Sequence, residues 1–174
     1  VGFNLTSLGS HMHYDIQTAQ FIETSVHGST VNETRFQLYR NAFRQQADNS
    51  GPEIQVLGSF NGGGSTVGRN LDTVNNFELQ NNTTAVHGAH TWRFGVRVRA
   101  QFDANSSPLN FNGTFTFSGG LAPELNASNQ AVLDSSGQAV MEQIDSIERY
   151  RRTLLGLPAA LGGGASQFSI NAGM

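Results

Sequence analysis

At 174 residues and a formal charge of −3, the chain has the size of one domain and no basic surplus with which to hold nucleic acid. It is 37% apolar and only 13% charged and has no cysteine, which excludes disulfide scaffolds, zinc–thiolate centres and thiol catalysis. Asn, Gln, Ser, Thr and Gly fill the difference, a composition that suits neither a compact enzyme nor a charged disordered tail but does suit strand walls with one polar face and long polar loops.

The first predicted element is a strand near residues 14–26. Tyr14, Ile16, Ile22 and Val26 point one way; Asp15, Gln17, Glu23 and Ser25 point the other, with Phe21 breaking the polar row. The short turn His27-Gly28-Ser29-Thr30 leads into a second strand near 31–43. There Thr34, Phe36 and Leu38 share one face, and Glu33, Arg35, Gln37 and Tyr39 the other. A turn this short joins antiparallel neighbours. Residues 44–70 read as a long loop, because Asp48-Asn49-Ser50-Gly51-Pro52 and Asn61-Gly62-Gly63-Gly64-Ser65-Thr66 break regular structure. Ile54 to Leu57 is a candidate short strand inside it.

A third strand is predicted near 71–86. Leu71, Thr73, Phe77, Leu79 and Ala85 face one way, and Asp72, Glu78, Gln80 and Asn82 the other, with Val74 and Val86 as exceptions. After the turn His87-Gly88-Ala89-His90, a fourth strand near 90–103 has the cleanest alternation. Trp92, Phe94, Val96, Val98, Ala100 and Phe102 oppose Thr91, Arg93, Gly95, Arg97, Arg99 and Gln101. Three arginines in one row beside an apolar row is the pattern of a strand between lipid and a watery lumen. It predicts an all-β fold: an antiparallel transmembrane β-barrel wall segment of about four long strands. The barrel strands are expected to pair in sequence order, so the second should bond the third across the long loop. Short turns alternating with long connections match the periplasmic and extracellular ends of bacterial barrels.

Further on, Asn110-Phe111-Asn112-Gly113-Thr114-Phe115-Thr116-Phe117 reads as an extension of that wall, its phenylalanines packing in a hairpin or girdle rather than forming a ligand rim. Val140, Ile144, Ile147, Arg151 and Leu154 recur at helical spacing. This predicts a loop helix over 138–155, capped by Ser136 and stopped by Gly156 and Pro158. Gly162-Gly163-Gly164 is expected to open a flexible last segment.

The candidate functional residues follow from the two faces. Glu33, Arg35, Glu78, Arg93, Arg97 and Arg99 are expected to line a lumen, where pairing lowers their burial cost. Phe36, Leu38, Phe77, Leu79, Trp92, Phe94, Val96 and Val98 are expected to face lipid, making the bilayer of a bacterial outer membrane the first partner. No catalytic set is visible, so no enzyme is expected. Gly63-Gly64-Ser65-Thr66-Val67-Gly68-Arg69-Asn70 imitates a phosphate loop, but Arg69 stands for its lysine and Asn70 for its hydroxyl residue, and no apolar parallel strand precedes it. His11 and His13 lack further ligands at metal spacing, and the oxygen-rich Asp48, Asn49, Asp72, Asn75 and Asn76 lack the calcium-loop pattern. No cofactor or metal is expected.

Several stretches resemble a known family. Thr30-Val31-Asn32-Glu33-Thr34-Arg35-Phe36-Gln37, Glu78-Leu79-Gln80-Asn81-Asn82-Thr83-Thr84 and His90-Thr91-Trp92-Arg93-Phe94-Gly95 look like wall strands of the TonB-dependent outer-membrane receptors of the Oar-like group. Ile147-Glu148-Arg149-Tyr150-Arg151-Arg152-Thr153-Leu154 and Gly162-Gly163-Gly164-Ala165-Ser166-Gln167-Phe168 look like a loop of the same group. The resemblance covers most of the chain in matching order. It implies a barrel of about 22 strands with a plug, uptake of a scarce ligand, and a carboxypeptidase-regulatory-like domain ahead of the plug. The implied partners are the remaining barrel, the plug and, indirectly, the TonB system. No plug or TonB-box-like segment is present, and four strands cannot close a barrel, so a partial segment is expected. The alternative is a soluble all-β binding or surface-adhesion module, in which the second and third strands can fall in separate sheets.

Overall fold

The computed structural model describes residues 3–171. In chain order the strands are β1 (Phe3–Asn4), β2 (Ser10–His27), β3 (Thr30–Ala47), β4 (Glu53–Val56), β5 (Phe60–Gly63), β6 (Arg69–His87), β7 (His90–Ser106), β8 (Thr114–Phe117) and β9 (Gly120–Pro123). Then come β10 (Met141–Ile144), the helix α1 (Ser146–Leu154) and β11 (Gln167–Ser169). Contacts divide the chain into two compact units: Met12–Gln45 with Asn70–Ser107, and the residues up to His11 with Gln46–Arg69 and the chain from Pro108 onward.

The first unit is one sheet in the order β2-β3-β6-β7. The second and third long strands are therefore neighbours in one sheet, as barrel order requires. Each hairpin turn has a glycine at its first central position, Gly28 at φ 59° and Gly88 at φ 58°, followed by Ser29 or Ala89 at ordinary φ. That is a type II′ turn, whose twist matches the flanking strands. A Cβ at either glycine would meet open space, so backbone conformation alone demands glycine there. The β6–β7 ladder runs antiparallel from Leu71 opposite Ser106 to His87 opposite His90. Gly95 lets the two backbones close: a Cβ there would collide with the Asn81 carbonyl and the Asn82 side-chain oxygen.

The second unit corrects the prediction of a long irregular loop. The stretch 44–70 carries β4 and β5, including the glycines at 62 and 63, and β3 and β6 each run further into it than alternation alone predicts. A five-stranded sheet in the order β1-β5-β4-β8-β11 mixes parallel pairs (β1 with β5, β4 with β8) and antiparallel ones. Thr114–Phe117 thus belongs to this sheet and does not extend the wall. Phe117 is buried and meets Tyr150 of α1 edge-on at 5.1 Å, and Phe115 packs on Phe168 at 4.6 Å. Phe115 and Phe117 therefore pack, but in this mixed sheet and not in a wall hairpin or girdle, and Phe111 is exposed.

The predicted helix is half as long as its periodicity indicated. Residues Met141–Ile144 pair with Gly120–Pro123, and Ile144 is buried. The helix begins only where Asp145 accepts from the Glu148 N–H at 2.8 Å. Ser136 does not cap it; its N–H and hydroxyl both donate to Asp134. The segment between β9 and β10 is a tandem repeat, Leu125-Asn126-Ala127-Ser128-Asn129-Gln130-Ala131-Val132 and Leu133-Asp134-Ser135-Ser136-Gly137-Gln138-Ala139-Val140. In each copy the leading Asn or Asp accepts from two backbone N–H groups, at Ser128 and Gln130 or at Ser136 and Gln138. These bonds, the Ser136 hydroxyl first among them, hold the Asp134 carboxyl below its usual range. The glycine run is not flexible either. Gly162 and Gly163 are buried, and a Cβ at Gly163 would strike the Leu157 carbonyl.

Arg152 is the pin of this unit, with 1% exposure. It donates to Glu148 at 2.8 Å, Glu142 at 2.9 Å, and the carbonyls of Pro123 at 2.8 Å and Leu161 at 3.1 Å. Glu148 also accepts a two-pronged pair from Arg151, and these hydrogen bonds, Arg151's first, bring its carboxyl from 4.5 to about 2.

Arg152→Met is expected to destabilise this unit by about 3 kcal/mol, since it orphans buried acceptors. Hydrogen exchange over 120–164 should rise sharply, while Arg151→Ala changes it little. Because the Glu148 carboxyl is lowered in the folded state, its contribution is complete above pH 4.5 and disappears as pH falls toward about 2. Exchange protection of α1 should decline over that window in the wild type and much less in Glu148→Gln.

Candidate functional site: the two faces of the long sheet

Residues directly opposite in an antiparallel ladder share a face. Glu78 lies opposite Arg99, Gln80 opposite Arg97, and Thr84 opposite Arg93. Arg99 donates to Glu78 at 2.7 Å, Arg97 reaches the same carboxylate at 3.2 Å, and Arg97 also donates to Gln80 at 3.0 Å. One carboxylate thus bridges two arginines of the facing strand. Glu33 and Arg35 pair along β3 at 3.5 Å. Arg93 lines an open cavity of about 310 Å³ with Val31, Glu33, Asn82 and Thr84, and makes no ion pair among the described residues. A second cavity of about 410 Å³ is lined by Gln37, Tyr39, Asn76, Glu78, Arg99 and Gln101, with Phe77 and Ala100 also bordering it. The six charged residues picked from the sequence therefore lie on one face, and five of them are paired.

The other face carries Leu79 opposite Val98, Phe77 opposite Ala100, Asn81 opposite Val96, Thr83 opposite Phe94, and Ala85 opposite Trp92. Trp92, Phe94, Val96 and Val98 are 56–64% exposed. Phe77 meets Phe102 edge-on at 5.8 Å. β3 joins this face through side chains: the Asn32 amide donates to Thr83 at 2.7 Å and to Asn81 at 3.2 Å, and the Asn81 amide donates to Asn32 at 3.1 Å and to Thr34 at 2.9 Å. Alternation then puts Phe36 and Leu38 on the apolar side with Leu79 and Phe77. The eight apolar residues picked from the sequence share one face.

Two features were not foreseen. The first is the amide–hydroxyl knot of Asn32, Thr34, Asn81 and Thr83 on the apolar side. Each group there finds a partner, which removes most of the cost of placing it among hydrocarbon. The second concerns β2. Tyr14 packs on Phe43 at 4.8 Å, and Phe43 shares its β3 face with Tyr39, Arg35 and Glu33 by alternation. The Tyr14 row of β2 therefore adjoins the polar row of β3, and its Asp15 row adjoins that of Phe36 and Leu38. The Glu78 bridge itself was open to counting outward from the Gly88 turn, residue against residue. The phosphate-loop imitation dissolves, because Gly63 ends β5 and Arg69 begins a strand instead of a helix.

A four-stranded antiparallel sheet of such length, three of whose strands (β3, β6 and β7) carry exposed hydrophobes on one side and paired charges on the other, defines the wall of a β-barrel that sits in a membrane. Residues 7–172 match the family model described as Outer membrane beta barrel domain, and the chain belongs to that family. Its place is the bacterial outer membrane, where it associates with lipid. Comparison with curated proteins and with solved structures finds no match. No helix among the described residues is long and apolar enough to cross a membrane.

Glu78→Gln should lower stability by about 1 kcal/mol, because it leaves Arg97 and Arg99 facing each other across a neutral amide at a solvated site. The urea midpoint of unfolding in vesicles reads this, and the loss should shrink at high salt. Arg93→Gln, which removes a charge with no ionic partner, should leave the midpoint unchanged.

Proposed function

We propose that the long sheet is a wall segment of a TonB-dependent receptor that takes up an unidentified ligand. The observation that carries the wall reading is the β6–β7 register, which puts the arginines of β7 on one side and the row from Trp92 to Phe102 with Phe77 and Leu79 on the other, Val74 and Val86 of β6 being the exceptions. Glu33, Arg35, Glu78, Arg93, Arg97 and Arg99 line the water-filled lumen in this reading. Phe36, Leu38, Phe77, Leu79, Trp92, Phe94, Val96 and Val98 face lipid. The dimensions agree. From Trp92 to Phe102 the strand rises roughly 33 Å, and a tilt of about 40° turns this into about 25 Å of height, the height of a barrel's apolar band. Trp92 and Phe94 at one end and Phe77 with Phe102 at the other supply the two aromatic girdles.

The wall is incomplete by itself. Among the described residues, β2 and β7 are the edges of the sheet, and their outward backbone groups need further strands in lipid. The partners are therefore the remaining barrel, the plug that fills it and, through the plug, the TonB system. The motif succession around Glu33, Glu78 and Trp92 supports the receptor class. No catalytic role is assigned to any side chain.

Val96→Arg should impair insertion of the complete barrel far more than Arg97→Val, since an arginine on the lipid side near midplane costs roughly 2–4 kcal/mol and lumen positions are tolerant. Folding yield into lipid vesicles reads both variants; equal effects, or a larger loss from Arg97→Val, contradict the assignment of faces. The receptor class is checked separately by the coding sequence around this segment. A plug upstream and further alternating strands downstream are expected, and a barrel with no plug would remove the TonB-dependent step.

A further inference from the structure

The chain has ten arginines and no lysine. Most are occupied: Arg35 by Glu33, Arg97 and Arg99 by Glu78, Arg149 by the Ser118 carbonyl, Arg151 by Glu148, and Arg152 by Glu142 and Glu148. Within the long sheet, Arg40 and Arg44 of β3 are exposed and have neither an ion pair nor a hydrogen bond among the described residues. Their parity sets them apart from the lumen row. Alternation puts both on the side of Phe36 and Leu38, not on that of Glu33 and Arg35.

Their position along the strand matters as much as their face. β3 leaves the Gly28-Ser29 turn, passes Phe36 and Leu38, and reaches Arg40 and Arg44 just before its long connection to β6. In bacterial barrels the short turns are periplasmic and the long connections extracellular. The two arginines therefore stand directly beyond the apolar band, on its outer side. A lipid-side arginine is disfavoured at the midplane and tolerated at the interface, so they mark where hydrocarbon ends and headgroups begin. By alternation Asp15 of β2 faces the same way, and Asp48, which follows in the same row just past β3, pairs with His11 at 3.1 Å. Asp15 accepts from the Gln17 amide at 3.3 Å and forms no ion pair with either arginine among the described residues. Neither guanidinium has a carboxylate partner among the described residues.

We propose that Arg40 and Arg44 bind the phosphate groups of an anionic lipid in the outer leaflet. The proposal rests on the assignment of the Phe36 face to lipid. Guanidinium forks match phosphate oxygens two at a time and are weakly hydrated, which suits a site half in headgroups. The two residues are about 13 Å apart along the strand, far enough to engage two phosphates of one headgroup or of neighbouring lipids. The lumen arginines, by contrast, are paired within the protein or face water.

The test uses the complete barrel that carries this chain. It is placed in phosphatidylcholine nanodiscs doped with either bisphosphorylated lipid A or its dephosphorylated form, and retained lipid is counted by native mass spectrometry. Wild type is expected to retain the phosphorylated form roughly tenfold better. The double variant R40Q/R44Q should lose that preference, and Arg93→Gln, altered on the other face, should keep it. Equal retention of both forms by wild type, unchanged preference in the double variant, or displacement by inorganic phosphate alone overturns the lipid site. Flotation of the same preparation with vesicles is read alongside. A wild-type protein that fails to float contradicts the wall reading itself, whereas one that floats without a phosphate preference contradicts only this site.

Discussion

The pairing of β6 on β7 is the constraint from which the rest of the long sheet follows. Strand side chains alternate, so one register assigns every residue of both strands to a side. A slip of one residue would put Arg93, Arg97 and Arg99 among Leu79, Phe77 and Ala85. Three features hold the register. The type II′ turn at Gly88 starts the count, with His87 opposite His90. Gly95 accepts the Asn82 side chain at one point only. Glu78 sits between Arg97 and Arg99. None is large alone, because the ion pairs are solvated and worth little each. Together they agree on one answer, and agreement of turn, packing and charge is what specifies a sheet.

That register also explains how polar residues fit on the apolar side. Asn32, Thr34, Asn81 and Thr83 would each be costly in hydrocarbon. Placed beside one another across β3 and β6, they bond among themselves and tie the two hairpins together where no short turn joins them. The knot thus does for β3 and β6 what the Gly28 and Gly88 turns do within each hairpin.

The wall was legible in the sequence wherever a residue's neighbours are set by local period. Trp92 through Phe102 shows it best: alternation alone separated the hydrophobes from the arginines, and the register kept them apart. Legibility failed where long-range pairing decides. The helical spacing through Val140 and Ile144 is real, but Ile144 is claimed by β9, and the chain becomes helical only after Asp145 caps it. Gly62 and Gly63 look like loop residues, yet they form a strand because the neighbouring β4 supplies the hydrogen bonds. Glycine content marks where the backbone is free to go, not where tertiary contacts send it. The tandem repeat from Leu125 to Val140 was visible in principle; the recurring Asn or Asp at the head of each copy is its signal. The burial of Arg152 had little local signal: its Glu148 partner stands at i,i+4 spacing, but the others come from β9, β10 and Leu161.

The central claim is that the two sides of β7 meet different solvents. Spin labels placed singly at each position from Trp92 to Phe102 in the complete barrel, folded into bilayers, test it directly through collision with oxygen and with a water-soluble nickel chelate. Strict alternation is expected: oxygen-rich lipid exposure at 92, 94, 96, 98 and 102, and nickel exposure at 93, 97, 99 and 101. Uniform accessibility along the strand, or alternation of the opposite phase, would contradict it.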